Sequence, residues 1–124
     1  MILVRGSEEV MEASILKTIQ DMLGSDSSYD VFTSDILIHI NSAISVLTQL
    51  GVGPKDGFRI TGVDETWEDL LANDKILEFV KTYIYLKVRL VFDPPSNSSL
   101  VTFYKQECDE IESRILYSID PRNS

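Results

Sequence analysis

The sequence has few of the residues from which disulfides and most catalytic sites are made. Its 124 residues include one cysteine, Cys108, and one histidine, His39. A single thiol excludes an intrachain disulfide, which fits a reducing cytoplasm. Every Ser-His-Asp or Cys-His arrangement would depend on His39, whose apolar neighbours in the stretch LIHI favour a packing role. Cys108 lies on the apolar side of a predicted helix, which indicates an inert buried thiol.

Metal-binding and phosphate-binding motifs are also lacking. The sequence contains no CxxC, no HExxH, no paired histidines and no EF-hand loop, which are familiar spacings of protein metal ligands. Four glycines lie close together at Gly51, Gly53, Gly57 and Gly62, but they form neither GxGxxG nor GxxxxGK(S/T). Because they follow a predicted helix and not a strand, we expect them to permit turns in an exposed loop.

One acidic string, Asp64-Glu65 followed by Glu68-Asp69, could in principle hold a divalent cation or serve a hydrolase. Carboxylates at the start of a helix are more simply explained by the helix dipole, which favours negative charge there. We therefore predict that the chain has no catalytic residue, no metal ligand and no bound cofactor, and that it is not an enzyme.

Basic side chains are scarce as well, with 11 Lys and Arg against 20 Asp and Glu, for a net charge of −9. Such a surface repels nucleic acid and anionic membranes, so it argues against a role in gripping DNA phosphates. DNA merely passing near the protein would be compatible with it. The N-terminus lacks the apolar h-region of a secretory signal, and the run from Ile76 to Phe92 carries too many charges for a membrane span. We expect a soluble protein of the cytoplasm.

What the sequence does contain is a globular composition, with 44% hydrophobic and 25% charged residues. At this length a hydrophobic core needs no covalent cross-links, and no linker divides the chain. We therefore predict a single domain over residues 1–124. Residues 1–10 are a candidate flexible leader, and residues 120–124 form a polar tail.

Apolar periodicity predicts an all-α fold, a small bundle of four to five helices. The predicted helices are Glu8–Leu23, Ser34–Leu50, a short turn beginning at Asp64–Thr66 and running through Trp67–Leu71, then Ile76–Phe92 and Ser99–Ile119. Thr33 or Ser34 is expected to cap the second helix, and Ser96 or Ser98 the last. A long glycine-rich loop, 51–66, joins the second and third main helices, and its FRIT segment alternates like a short strand.

Two predicted helices have unusual faces. The polar side of the second helix is built from small uncharged residues, a surface that another protein can cover without stripping water from charges. The helix Ile76–Phe92 has two apolar stripes. The first consists of Val80, Ile84, Val88 and Val91, and the second of Phe79, Tyr83, Leu86 and Leu90. The second stripe could face a neighbouring subunit or could be covered within one protomer.

Four segments in order resemble the head-tail connector proteins of tailed phages and prophages of Gram-positive hosts, also called head-completion or portal-adaptor proteins. They are DILIHINSAISVLTQLGVGP, GFRITGVDETWEDLL, VKTYIYLKVRLVFDPP and a final helix containing KQECDEIESRI. The resemblance covers most of the chain after residue 33.

The resemblance implies an all-α protomer that assembles into a homo-oligomeric ring, expected to be a dodecamer. The ring would dock on the portal protein, meet tail or stopper proteins, and join the DNA-filled capsid to the tail. DNA would pass through it without sequence-specific binding, and no membrane would be involved. The protein would reside at the head-tail interface of the virion, and in the host cytoplasm before assembly.

Three residues of the loop region are candidate intersubunit contacts, namely Phe58, Ile60 and Trp67. For Trp67, the one tryptophan, the alternative is a core position beneath the loop. An alternative function, of a different class, is a small acidic regulator encoded by a phage or prophage that binds another protein by helix-in-groove contacts.

Overall fold

The computed structural model describes residues 11–24 and 32–119. This part of the chain contains five helices: α1 Ile15–Leu23, α2 Thr33–Gln49, α3 Trp67–Leu70, α4 Leu77–Phe92 and α5 Ser98–Ile119. Within these residues there is no strand, only one isolated antiparallel bridge between Ser14 and Thr66. The prediction of a small all-α bundle is confirmed. The candidate leader, 1–10, and the polar tail, 120–124, lie outside the described residues.

The helix predicted over Glu8–Leu23 is interrupted, because Met11 is helical but α1 begins only at Ile15. The chain at residues 12–14 is not helical, and Ser14 adopts an extended conformation with its hydroxyl accepting a hydrogen bond from the Lys17 amide at 3.2 Å. A side-chain oxygen that accepts from this amide satisfies one of the free donors of the first turn, which fixes the start of α1 at Ile15. The helix ends at Gly24, whose φ is 119°.

The second helix buries an apolar stripe at the helical spacing, but its cap is not the one predicted. Five residues of α2 are buried, namely Ile36, Ile40, Ala43, Ile44 and Leu47. The residue before the helix is Phe32, and it makes no side-chain capping bond, so the expected cap by Thr33 or Ser34 is wrong. Burial of the stripe compensates for the missing cap, since packing contributes more to helix stability than local signals do.

Helix α4 is the central element of the bundle and packs against α1, α2 and α5. Both of its apolar stripes are used within the protomer. Tyr83 and Leu86 of the second stripe are buried, while Phe79 and Leu90 pack against the core with part of their surface exposed. The structure therefore decides against a subunit-facing role for this stripe. Val91 of the first stripe is the exception, with 62% of its surface exposed.

The glycine-rich loop lies against the bundle and contributes to its core. Val52 and Ile60 are buried. Gly53 has a φ of 82°, and a Cβ there would lie 2.8 Å from Cδ1 of Leu70 and 3.2 Å from its carbonyl oxygen. Only glycine combines this backbone conformation with so close an approach to α3. Nine of the 16 loop residues are exposed, so the packing of the loop is confined to these few positions.

Helix α5 is the least covered of the long helices. Of its 22 residues only Cys108, Ile111 and Ile115 are buried, and α4 is its one extensive packing partner in the described part of the chain. Asn97 caps it by accepting hydrogen bonds from the amides of Ser99 and Leu100. The expected capping by Ser96 or Ser98 is therefore wrong. None of the helices in residues 11–24 and 32–119 is both long and apolar enough to cross a membrane.

Candidate interaction surface

The extended segment 58–61 is held against α2 by one side chain. The amide group of Asn41 donates a hydrogen bond to the Ile60 carbonyl at 2.9 Å and accepts one from the Ile60 amide at 2.8 Å. Asn41 thereby satisfies both backbone groups of Ile60, much as a neighbouring strand would. Because side chains alternate along extended backbone, the Ile60 side chain enters the core while Arg59 and Thr61 remain exposed.

A carboxylate fixes the next turn of the loop. Glu65 accepts hydrogen bonds from the amide and hydroxyl of Thr61 at 3.0 and 2.7 Å, and from the Gly62 amide at 3.3 Å. Partial desolvation acts to raise the pKa of Glu65, but the hydrogen bonds from Thr61 and Gly62 outweigh it and lower the pKa below its usual 4.5. The ionised carboxylate is therefore the form that orders this turn.

The loop ends by joining α1 and α3. The Ile15 amide donates to the Glu65 carbonyl, and the Trp67 amide donates to the Ala13 carbonyl. Thr66 and Asp69 then form a capping box, in which each side chain accepts a hydrogen bond from the backbone amide of the other. Hydrogen bonds thus hold the chain at residues 60–62 and again at residues 65–67, where it enters α3.

The acidic string has a structural use in this arrangement. Glu65 orders the loop turn and Asp69 closes the capping box, while Asp64 and Glu68 are exposed. In residues 11–24 and 32–119 no group of three or more Asp, Glu, His and Cys side chains is placed to hold a metal ion. His39 lies on the α2 helix and makes no hydrogen bond or ion pair in the described part of the chain.

Trp67 occupies a core position under the loop. Its side chain has no exposed surface, and its Nε1–H donates to Oγ1 of Thr18 at 3.1 Å. The same threonine hydroxyl donates to the Ser14 carbonyl at 2.7 Å. An indole that is fully enclosed and also satisfied at its one polar atom gains both apolar burial and a tertiary hydrogen bond. This network ties α1 to α3.

The three candidate intersubunit residues therefore have different surroundings. Trp67 and Ile60 are enclosed within the protomer, and Phe58 is partly exposed beside the core. Whether any of them contacts a neighbouring subunit stays a prediction. The exposed neighbours Arg59 and Thr61, which the sequence did not single out, are the residues of this segment with the most surface to offer.

A groove runs between the small polar face of α2 and the extended segment, with a volume of about 590 Å³. Ile38 lines it with 60% of its surface exposed. Arg59 is the one charged side chain among the residues that line this groove, and it makes no ion pair in the described part of the chain. The remaining lining is uncharged and consists of Ser34, Leu37, Asn41, Ser42, Ser45, Ile60 and Thr61.

A second, smaller hollow of about 360 Å³ extends this surface toward the C-terminal half of α2. It shares Ser45 and Arg59 with the groove and is also lined by Thr48, Asp56 and Phe58. The hydroxyls of Ser45 and Thr48 donate to carbonyls one turn earlier on their own helix. Their polar groups are thus partly satisfied, and covering this face would cost little desolvation energy.

Helix α5 presents a contrasting surface. Leu100, Phe103, Leu116, Tyr117 and Ile119 are large apolar residues that it exposes. Asp109 and Glu110 are exposed between them, and Arg114 pairs with Glu110 at 3.1 Å. The outer side of α5 thus combines carboxylates with exposed apolar side chains.

The inner side of α5 is joined to α4 by a polar contact near Cys108. The Tyr83 hydroxyl donates to a Glu112 carboxylate oxygen at 2.7 Å. Burial, followed by that hydrogen bond, raises the pKa of Tyr83 far above its usual range. Burial likewise raises the pKa of the Cys108 thiol, so the thiol stays protonated and unreactive near neutral pH.

Comparison with known protein families gives one match. The family described as phage connector protein matches residues 15–122, a span that includes α1 to α5 and the loop. No curated protein and no solved structure matches the chain significantly. Because the family match covers most of the sequence, the chain belongs to the phage connector protein family, which is a family of structural proteins.

Proposed function

We propose that this phage connector protein is one subunit of a ring that docks on the portal and joins the DNA-filled capsid to the tail. The family match carries the proposal, because it gives a connector role to nearly the whole described chain. Ring formation, the portal as partner and a place at the head-tail interface are the steps that we add.

The distribution of surfaces supports assembly. The protomer already has a continuous core of buried residues drawn from α1 to α5 and the loop. It still exposes a groove with a single charge along α2 and an apolar, acidic face along α5. A finished protomer with two such faces is suited to contacts on two sides, and a subunit of a closed ring needs two different contact faces.

The net charge of −9 supports a DNA conduit. A negative wall repels phosphates and would let DNA slide through a ring without adhering to it. In the described residues the acidic side chains outnumber the basic ones on α5, around α3 and in the loop. The proposal therefore excludes sequence-specific DNA binding.

The test is reconstitution with a portal protein from the genome that encodes this chain. The purified protein, alone and mixed with portal particles, is examined by sedimentation velocity and negative-stain electron microscopy. We expect a ring on one end of the portal, even if the free protein is monomeric. A protein that remains monomeric at high concentration and leaves the portal bare would overturn the proposal, and selective binding to a host enzyme would favour the regulator.

A further inference from the structure

We infer that the groove between α2 and the segment 58–61 receives helix α5 of a second copy of this chain. The inference rests on the proposed ring and names the two faces that would form each subunit contact. The contact is heterologous, because the groove on one copy meets a different surface, the outer side of α5, on the next.

The charges of the two surfaces favour α5 of a second copy as the occupant of the groove. Arg59 is an exposed cation without an ion pair in the described part of the chain, and it is the one charged residue that lines the groove, while Asp56 lines the adjoining hollow. A chain of net charge −9 has many carboxylates that could pair with Arg59. The carboxylates on α5 differ from most others because exposed apolar side chains lie near them. Asp109 on that face has no hydrogen bond or ion pair in the described residues. A guanidinium and a carboxylate brought together away from water form a strong charge-assisted hydrogen bond.

Apolar complementarity points the same way. The groove exposes Ile38, and α5 exposes Phe103 and Leu116. Leu116 lies seven residues after Asp109, and Phe103 lies seven residues before Glu110, so each shares a helix face with one of the two carboxylates. A helix laid along the groove can therefore place a carboxylate at Arg59 and an apolar side chain near Ile38 together.

The positions of the two faces suit a repeating contact. Both α2 and α5 pack against α4, and they hardly contact each other, so they lie on different sides of that helix. α2 has 17 residues and α5 has 22, which correspond to lengths of about 25 and 33 Å. Two helices of such length can bury an interface of ordinary size, about 800 Å² on each partner. Each copy would give α5 to one neighbour and its groove to the other.

The decisive experiment replaces Arg59 with a residue that can be cross-linked. In an Arg59→Lys variant the positive charge remains, and a carbodiimide joins the introduced amine to any carboxylate that contacts it. An equal mixture of ¹⁵N-labelled and unlabelled protein is treated at high concentration and again after binding to portal particles. We expect mixed-isotope links from the introduced lysine to the tryptic peptide Gln106–Arg114, which carries Asp109 and Glu110. Lys55, exposed in the same loop, is the internal control.

The outcomes separate this inference from the proposed function. If the introduced lysine is linked only to another peptide of this chain, the α2–α5 contact is overturned and the ring stands. The same holds if the introduced lysine forms no link while other mixed-isotope links between copies do form. Links from that lysine to portal peptides alone would give the groove to the portal and overturn the inference too. If no copies are linked and no ring is visible, both the inference and the proposed function fail.

A charge reversal gives an independent readout on assembly. Arg59→Glu and Asp109→Lys should each weaken self-association about tenfold or more, because each places like charges in contact. The double variant Arg59→Glu/Asp109→Lys should recover most of the loss, since it restores opposite charges at every contact. Circular dichroism confirms the fold of each variant, as both residues are exposed. A double variant as weak as either single one would contradict the pairing.

Discussion

The glycine-rich loop, 51–66, and helix α5 differ in how they are held in the protomer more than in how much of them is buried. The loop has the glycines and polar residues of an exposed connection, yet Val52 and Ile60 are buried and Asn41 and Glu65 hold its backbone. Helix α5 has the periodicity of a core helix, yet only three of its 22 residues are buried. The loop touches α1, α2 and α3, while α5 packs mainly on α4. A similar small share of each segment is buried, two of the 16 loop residues and three of the 22 helix residues, but the loop is tied to three elements and α5 mainly to one.

This contrast predicts that truncating a buried side chain beneath the loop has the largest effect on stability. Trp67→Ala removes a fully enclosed ring and its hydrogen bond to Thr18, and we expect a loss of about 3–5 kcal/mol in the free energy of unfolding. Urea denaturation followed by circular dichroism measures it. Phe58→Ala, in the partly exposed aromatic residue of the same region, is the control and should cost far less. A loss below about 1 kcal/mol for Trp67→Ala would refute the core role.

Among changes in and around the loop, the next largest effect should come from the Asn41 clamp. Asn41→Ala leaves the Ile60 amide and carbonyl without their partner, and we expect a cost of about 1–3 kcal/mol. Hydrogen exchange of the Ile60 amide should accelerate strongly at the same time, because opening of the segment no longer breaks that bond. Ser42→Ala, at the exposed neighbouring position, should change neither quantity. Unchanged exchange at Ile60 in Asn41→Ala would show that packing alone holds the loop.

A smaller effect, confined to the loop turn, is expected from pH and from Glu65. The folded pKa of Glu65 lies below its unfolded value, so the stability that its ionised form contributes is present above about pH 4.5 and is lost as pH falls through the lowered pKa. The amide resonances of Thr61 and Gly62 should follow this titration in nuclear magnetic resonance spectra. Glu65→Gln should abolish the pH response, whereas Glu68→Gln should leave it unaltered. A persistent response in Glu65→Gln would assign it to another group.

The smallest effect is expected on the outer side of α5, where two adjacent residues give a matched pair. Leu116 is 50% exposed and Ile115 is fully buried. Leu116→Ser should change the free energy of unfolding by less than about 0.5 kcal/mol, while Ile115→Ala should cost about 2–5 kcal/mol. Thermal denaturation of the two variants compares them directly. Equal destabilisation would mean that the α5 surface is covered within the protomer.

Periodicity predicted much of the fold because it reports on local geometry. The five buried residues of α2 recur at the helical spacing and could be read directly from the sequence. The bounds predicted for α2, α4 and α5 agree closely with those of the structure. The caps of α2 and α5 were predicted less well, since several polar residues lie near the start of each of these helices and the sequence does not select among them.

The loop geometry could not be predicted because its bonds join distant residues. Asn41 and Ile60 are 19 positions apart, and Thr18 and Trp67 are 49 apart. No local pattern reports such a contact. One signal was present on the small polar face of α2. In the middle of that face Asn41 carries an amide, whereas its neighbours carry hydroxyls. An amide group can donate one hydrogen bond and accept another at the same time. Arg59 gave no signal in the sequence, because its position as the one charged residue lining the groove exists only in the folded chain.

The central claim, that two different faces of one protomer join copies into a ring on the portal, is tested most directly by cryo-electron microscopy of the complex with portal particles. We predict a closed ring in which the groove beside Ile38 and Arg59 encloses α5 of the adjacent subunit. Portal particles that remain bare at saturating concentrations of folded protein would contradict the ring, and a ring with this groove open to solvent would contradict the contact.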